Sequence, residues 1–252
     1  VAGRAVAAAR TRSAAVAAPL ATPLAGATAV VTGGSRGIGR ATVRALAATG
    51  ARVVSVSRSA DREPAAGVLA VAADLLDPAS AARAVGEIER VLGGPPDVLV
   101  NNAGCFDLAP VEDTSSAMLA SALTLNLAAP FALIRAFLPG MRARRRGHIV
   151  SIGSIADHIA FPGNAAYAAS KFGMRGLHEV LRAEIGGSGV RASLISPAAV
   201  GTTIWDTLDP ATRARLPDAA AMLDPSAVAD AVLFAVTRPE AVSVDEIRLS
   251  RS

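Results

Sequence analysis

Thr32-Gly33-Gly34-Ser35-Arg36-Gly37-Ile38-Gly39 stands between an apolar run, Ala27–Thr32, and a helix-patterned segment, Gly37–Thr49. A glycine-rich turn that leaves a strand and opens directly onto a helix N-terminus is a phosphate site. Glycines allow positive φ and close backbone approach, and the unpaired N–H groups and helix dipole favour negative charge. The spacing departs from the common G-x-G-x-x-G fingerprint, so the turn gains its weight from the strand before it and the helix after it.

Outward from this turn the strand and helix order repeats. Strands are predicted at 52–57, 68–72, 97–101, 148–152, 190–195 and near Ile247, and helices at 78–92, 116–145, 164–185 and 225–236. The expected product is an α/β single-domain Rossmann fold, a doubly wound parallel sheet with helices on both faces and its ligand crevice at the carboxyl ends of the strands. The chain's 252 residues, 52% hydrophobic and 3% aromatic, suit one core built from Ala, Val, Leu and Ile. The formal net charge is +4, but the first acidic residue is Asp61, so the basic excess lies in the N-terminal quarter. Cys105 is the single cysteine, which excludes an internal disulfide and a multi-cysteine metal site. No metal site is expected, and a reducing cytoplasmic setting is the default. Residues 1–24, rich in Ala and interrupted by Arg4, Arg10 and Arg12, do not read as a secretory signal and are expected to be a poorly ordered tail. No run of eighteen apolar residues suggests a membrane span.

In a dinucleotide fold the residue ending the second strand meets the adenosine ribose, an acid there selecting the free 2′-hydroxyl and an Arg accommodating a 2′-phosphate. Ser57 and Arg58 occupy that place, and Arg36 in the glycine loop adds a second positive charge. NADP(H) is therefore the expected cofactor.

Further motifs follow in order: Asp74-Leu75, Asn101-Asn102-Ala103-Gly104, Asn126, Ser154, and Tyr167-x-x-x-Lys171 with Ser154 thirteen residues before Tyr167. With the glycine loop they make the chain, from about Ala27 to Leu249, resemble the short-chain dehydrogenase/reductase family. By that resemblance Gly33, Ser35, Arg36, Gly37, Ile38 and Gly39 would hold the cofactor phosphates, Asp74 and Leu75 the adenine, and Asn102, Ala103 and Gly104 the cofactor channel. Pro197, Val200 and Thr202 would border the nicotinamide, Lys171 would grip its ribose, and Asn126 would hold a water of the proton relay. Pro197-Ala198 replaces the family's frequent Pro-Gly, and residues 198–224, including Trp205, are expected to form a substrate lid. Cys105, Phe106, His158 and Phe161 fall near the expected pocket mouth.

The chemistry of the last pair can be argued from the residues. Tyr167 and Lys171, at i and i+4, share a helix face, and they are the only Tyr and the only Lys of a chain that otherwise uses Arg. A phenol ordinarily titrates at about 10, and a neighbouring ammonium is expected to lower that value. Carbonyl reduction needs hydride at carbon and a proton at oxygen. Tyr167 can give the proton while Ser154 bonds the same oxygen, and alcohol oxidation reverses these roles. The implied partner is a small carbonyl or alcohol, and Val242–Leu249 resembles family members acting on assorted hydroxy acids, alcohols or ketones. A homodimer or homotetramer is expected through 116–145 and 164–185. Two alternatives stay open: a nonenzymatic NADP(H)-binding regulator, and a related epimerase or dehydratase. The basic run Arg142–Arg146 reads as a helix end rather than a nucleic-acid site.

Overall fold

In the computed structural model, which describes residues 23–59, 67–213 and 218–252, seven parallel strands form one sheet. They are β1 (Thr28–Thr32), β2 (Arg52–Ser57), β3 (Val68–Ala72), β4 (Val98–Asn101), β5 (Gly147–Ile152), β6 (Val190–Pro197) and β7 (Glu246–Leu249), in the order β3-β2-β1-β4-β5-β6-β7. The order reverses between β1 and β4, so the crevice above that pair is the topological switch point of a doubly wound sheet. Most of the tail expected over 1–24 lies outside the described residues. Leu24, which that reading assigned to the tail, packs into the core beside Ala29 and Val53.

Side chains alternate along each strand, and the two faces bury separate cores. Val30, Val54, Leu99 and Ile149 face α2 (Pro78–Leu92), α4 (Ala129–Ala143) and α5 (Ala165–Ile185), while Val31, Val53, Val100 and Ile195 face α1 (Gly37–Ala48) and α7 (Pro225–Val236). Helices α2 and α7 start alike. Asp77 and Asp224 each accept an N–H two residues on, and a proline sits at the first helical position, where its missing donor costs nothing.

The single helix expected over 116–145 is interrupted. It comprises α3 (Ser116–Leu123), a π turn at Thr124–Ala128, and α4. Pro130 has no N–H to give the Asn126 carbonyl in an α register, and the chain widens so that Ala129 N–H bonds the Thr124 carbonyl. The stretch Ser116–Ala143 is, contrary to the expectation from apolar runs, long and apolar enough by composition to cross a membrane. Here Leu133, Ile134, Phe137 and Met141 spend that hydrophobicity on the core.

One buried titratable group gives the fold a pH dependence. His148 on β5 is buried, its Nε2 lies 2.8 Å from Ser193 Oγ, and its Nδ1 has no partner among the described residues. Ser193 donates its proton to the Val244 carbonyl, so Nε2–H must be the donor to Ser193, and protonation at Nδ1 would bury an unpaired cation. Burial, with Arg191 adding to it, holds His148 down to about 3 from 6.5. A depressed pKa means that the unfolded chain takes up the proton first. Stability is therefore full above about pH 6.5 and falls as pH drops from there towards 3, by up to about 1.4 kcal/mol per pH unit. The urea midpoint should fall between pH 7 and 5, and His148→Gln, which keeps a donor to Ser193, should reduce that slope. An unchanged slope in the variant would remove His148 as its source.

Candidate active site

Across the carboxyl ends of β1 to β6 runs a cavity of about 640 Å³. Its floor is the glycine turn. Gly33 has φ +67°, and a Cβ there would meet Asn102 Nδ2 at 2.9 Å and Ala103 Cα at 3.0 Å; at Gly39 it would lie 2.1 Å from the Gly33 carbonyl oxygen. Thr32 sews this turn to the exit of β4, its Oγ1 accepting from Asn102 N (2.9 Å) and Ala103 N (3.0 Å), while Asn102 Nδ2 donates to the Thr32 carbonyl at 2.8 Å. Helix α1 has no side-chain cap and no acidic residue in its first turn, so its leading N–H groups remain available to an anion.

Ser35, Arg36, Gly37 and Ile38 line this part of the cavity, joined by Ser57 and Arg58 from the end of β2 and Asp74 and Leu75 after β3. Ser57 Oγ donates to the Ser59 carbonyl, which orders the turn carrying Arg58. Among the described residues the guanidinium groups of Arg36 and Arg58 make no ion pair or hydrogen bond. Ala103, Gly104, Pro197, Val200 and Thr202 complete the wall. Thr202 Oγ1 accepts from Ile204 N at 3.4 Å, starting the turn Thr203–Thr207. The segment expected as a lid carries that turn, α6 (Pro210–Arg213) and the turn Ala219–Ala221, and residues 214–217 lie outside the described set.

At the other end Ser154, Tyr167 and Lys171 converge. Ser154 is extended, with φ −168°, and begins the turn Ile155–Asp157; its Oγ accepts from Ala156 N at 3.1 Å, and Asp157 Oδ2 accepts from Ser154 N at 3.1 Å. Lys171 is buried and donates through Nζ to the Ile152 carbonyl at 2.8 Å. Its Nζ stands 5.6 Å from the centroid of the Tyr167 ring.

The expected lowering of the phenol does not occur. Burial dominates and pushes Tyr167 up to about 12, against the Ser154 hydroxyl, which favours phenolate, and with Asp157 adding to the rise. Burial likewise pulls Lys171 down to about 8, with Asp157 opposing. Desolvation outweighs the Ser154 contact at Tyr167 and the Asp157 charge at Lys171.

Two further residues of the sequence reading lie outside the cavity wall. Asn126 does not line the cavity. From the π turn its Oδ1 accepts from Cys105 N at 2.9 Å, and its Nδ2 donates to the Cys105 carbonyl (3.0 Å) and Ser170 Oγ (2.9 Å). Its side chain is thereby committed to holding the loop after β4 against α5. His158 also turns away from the cavity, towards Glu246 Oε1 at 2.7 Å. Cys105, Phe106 and Phe161 do line it.

The sequence reading missed Asp157, a carboxylate 1% exposed beneath Ser154. Its Oδ2 also accepts from Ser196 Oγ at 2.6 Å, and its Oδ1, 3.2 Å from His158 Nε2, lacks a well-formed hydrogen bond. Behind it Arg175 pairs with both Glu246 oxygens, at 3.2 and 3.0 Å. The signal was present as Ser-x-x-Asp, a capping-box spacing.

A model of the short chain dehydrogenase family matches residues 27–213. A glycine betaine reductase of Emericella nidulans is 35% identical over 240 residues, 89% of this chain but only 19% of that much longer protein. An uncharacterised oxidoreductase of Staphylococcus saprophyticus is 33% identical over 86% of this chain and 92% of its own length. A metagenomic short-chain oxidoreductase solved in complex with NADP superposes with a TM-score of 0.77 at 33% identity, over 91% of this chain and 99% of that one.

Proposed function

Since the chain belongs to the short-chain dehydrogenase/reductase family of oxidoreductases, we propose that it moves hydride between NADP(H) and a small carbonyl or alcohol, with Tyr167 as general acid and base. The observation that carries this reading is the meeting of Ser154, Tyr167 and Lys171 at one end of a cavity whose other end is a phosphate cradle with two arginines. That cradle fits NADP(H): α1 is uncapped, Gly33 and Gly39 leave no room for a Cβ, and Arg36 and Arg58 supply charge for a 2′-phosphate. The NADP in the metagenomic neighbour supports the same choice. Bound there, the cofactor supplies or accepts the hydride.

The side chains do the rest. At neutral pH a phenol held near 12 is fully protonated, the form reduction needs. Ser154, fixed by its capping box, orients the carbonyl oxygen towards that proton. Lys171, anchored on the Ile152 carbonyl, retains donors for a ribose hydroxyl and places positive charge beside a developing phenolate. Asn126 supports the site by fixing Cys105 and α5 rather than through its side chain's own access to the cavity. Homo-oligomer formation belongs to the same reading, supported by Phe131 on α4 and Phe172 and Val180 on α5, all exposed large apolar residues.

Asp157 contributes to the pH scale of this chemistry, because after burial, the largest influence on both groups, its charge acts to raise Tyr167 and Lys171 alike. Asp157→Asn should shift the alkaline rise of kcat for alcohol oxidation to lower pH, since phenolate then forms more easily. A pH–rate profile checks this. A fall in kcat with an unmoved profile would reduce Asp157 to a scaffold for Ser154. The test of the whole reading is NADPH oxidation with a panel of ketones and aldehydes, repeated with NADH, for which weaker activity is expected.

A further inference from the structure

We infer that the substrate is an uncharged, predominantly apolar ketone or its secondary alcohol, and that the pocket discriminates against carbonyl compounds bearing a carboxylate or phosphate. The inference rests on Tyr167 marking the reacting end of the cavity. It comes from how the chain distributes two scarce or abundant residue types. Aromatic residues are few, six Phe, one Tyr and one Trp in the whole chain, yet Phe106, Phe161, Tyr167 and Trp205 all line this one cavity. Phe106 packs edge-on against Tyr167, with centroids 4.7 Å apart, and against Trp205 at 5.1 Å. Ile155 and Phe161 add exposed apolar surface beside them, 42% and 40% accessible.

The wall is also held in place, and two of its polar atoms are engaged within it. Trp205 Nε1–H donates to the Val200 carbonyl at 2.7 Å, so the indole turns only apolar surface to a ligand. Thr207 Oγ1 is engaged by the Ile204 carbonyl at 3.1 Å. Burial raises the Cys105 thiol above its ordinary value, keeping it neutral. Beside this wall the Ser154 and Tyr167 hydroxyls can bond one carbonyl oxygen, and Thr203 and Asp107 also line the cavity.

Charge is arranged the other way. Arginine is abundant in this chain, but among the described residues the two that line the cavity, Arg36 and Arg58, come from the exits of β1 and β2. The sheet order separates these from the exits of β5 and β6, where the hydroxyl pair sits. Among the described residues the one basic side chain lining the reacting end is Lys171, already bonded to Ile152, and the acidic side chain of Asp107 lines the cavity as well. An anionic substrate would give up its hydration without a guanidinium fork to replace it and would meet a like charge. A neutral apolar chain loses no such hydration and covers aromatic surface.

Matched methyl ketones test this: 2-octanone and 7-oxooctanoate, equal in carbon number and differing by the carboxylate. Binding to the NADP⁺-loaded enzyme is read from the fluorescence of Trp205, the sole tryptophan and itself in the pocket wall, and turnover from NADPH oxidation. Both kcat/KM and affinity should favour 2-octanone by at least about tenfold, a difference of about 1.4 kcal/mol, and Asp107→Asn should narrow the ratio. Equal or better use of 7-oxooctanoate, or no fluorescence response to 2-octanone, would overturn the inference. Tenfold preference in binding with turnover of neither ketone would uphold the pocket's selectivity while failing the redox reading itself.

Discussion

Tyr167→Phe lowers kcat for ketone reduction by about 10²- to 10⁴-fold, the range set by loss of a positioned proton donor, while NADPH still binds. The substitution removes one oxygen. The ring keeps its edge contact with Phe106 at 4.7 Å, Lys171 keeps its bond to Ile152, and Ser154 keeps its capping box. The residual oxygen contact is a single Ser154 hydroxyl, which can polarise a carbonyl but is a weaker acid than a phenol and a poorer proton donor. Steady-state kinetics together with an NADPH titration separate the two effects. A variant that loses NADPH binding and turnover in parallel would assign Tyr167 to the cofactor rather than to proton transfer.

Gly39→Ala is expected to cost the cofactor site as a whole. Its Cβ would fall 2.1 Å from the Gly33 carbonyl oxygen and 2.5 Å from Asn102 Nδ2. Neither is a flexible side-chain end: one is backbone, and the other is pinned to the Thr32 carbonyl at 2.8 Å. Relief requires moving α1 away from the glycine turn or breaking the link to β4. Overpacking of this kind costs about 1–3 kcal/mol, so the NADPH dissociation constant should rise by about tenfold or more, with a lower melting temperature. Gly86→Ala is the control. Gly86 lies within α2, a Cβ there meets nothing within 4 Å, and Ala is the better helix former by about 1 kcal/mol. Equal effects at the two positions would show that the clash at Gly39 is not what matters.

Much of this architecture was legible in the sequence because its determinants are local. Asp77-Pro78 and Asp224-Pro225 announce helix starts, the runs 52–57 and 68–72 are buried parallel strands with their boundaries as expected, and Gly33 to Gly39 is a turn only glycine can make. The spacing that brings Ser154, Tyr167 and Lys171 to one end of the cavity was equally legible, since one face of α5 carries the last two.

What was hidden depends on distance in space. Apolar periodicity runs unbroken through 116–145 and does not register the π turn that swings Asn126 onto Cys105. The Asn126 side chain thus acts as a clamp between the loop after β4 and α5. Asp157 looks like a loop carboxylate until β6 brings Ser196 and α5 brings Arg175 around it. The sign of the Tyr167 shift was misjudged for the same reason, because spacing reveals the neighbouring ammonium but not the burial that dominates the shift.

The most direct test is isotopic. Enzyme given 2-octanone and NADPH carrying deuterium at both C4 positions should yield 2-octanol with deuterium on the carbinol carbon, and Tyr167→Phe should form that product about 10²- to 10⁴-fold more slowly. Alcohol formed without the label, or labelled alcohol formed at an undiminished rate by the variant, would contradict hydride transfer assisted by Tyr167.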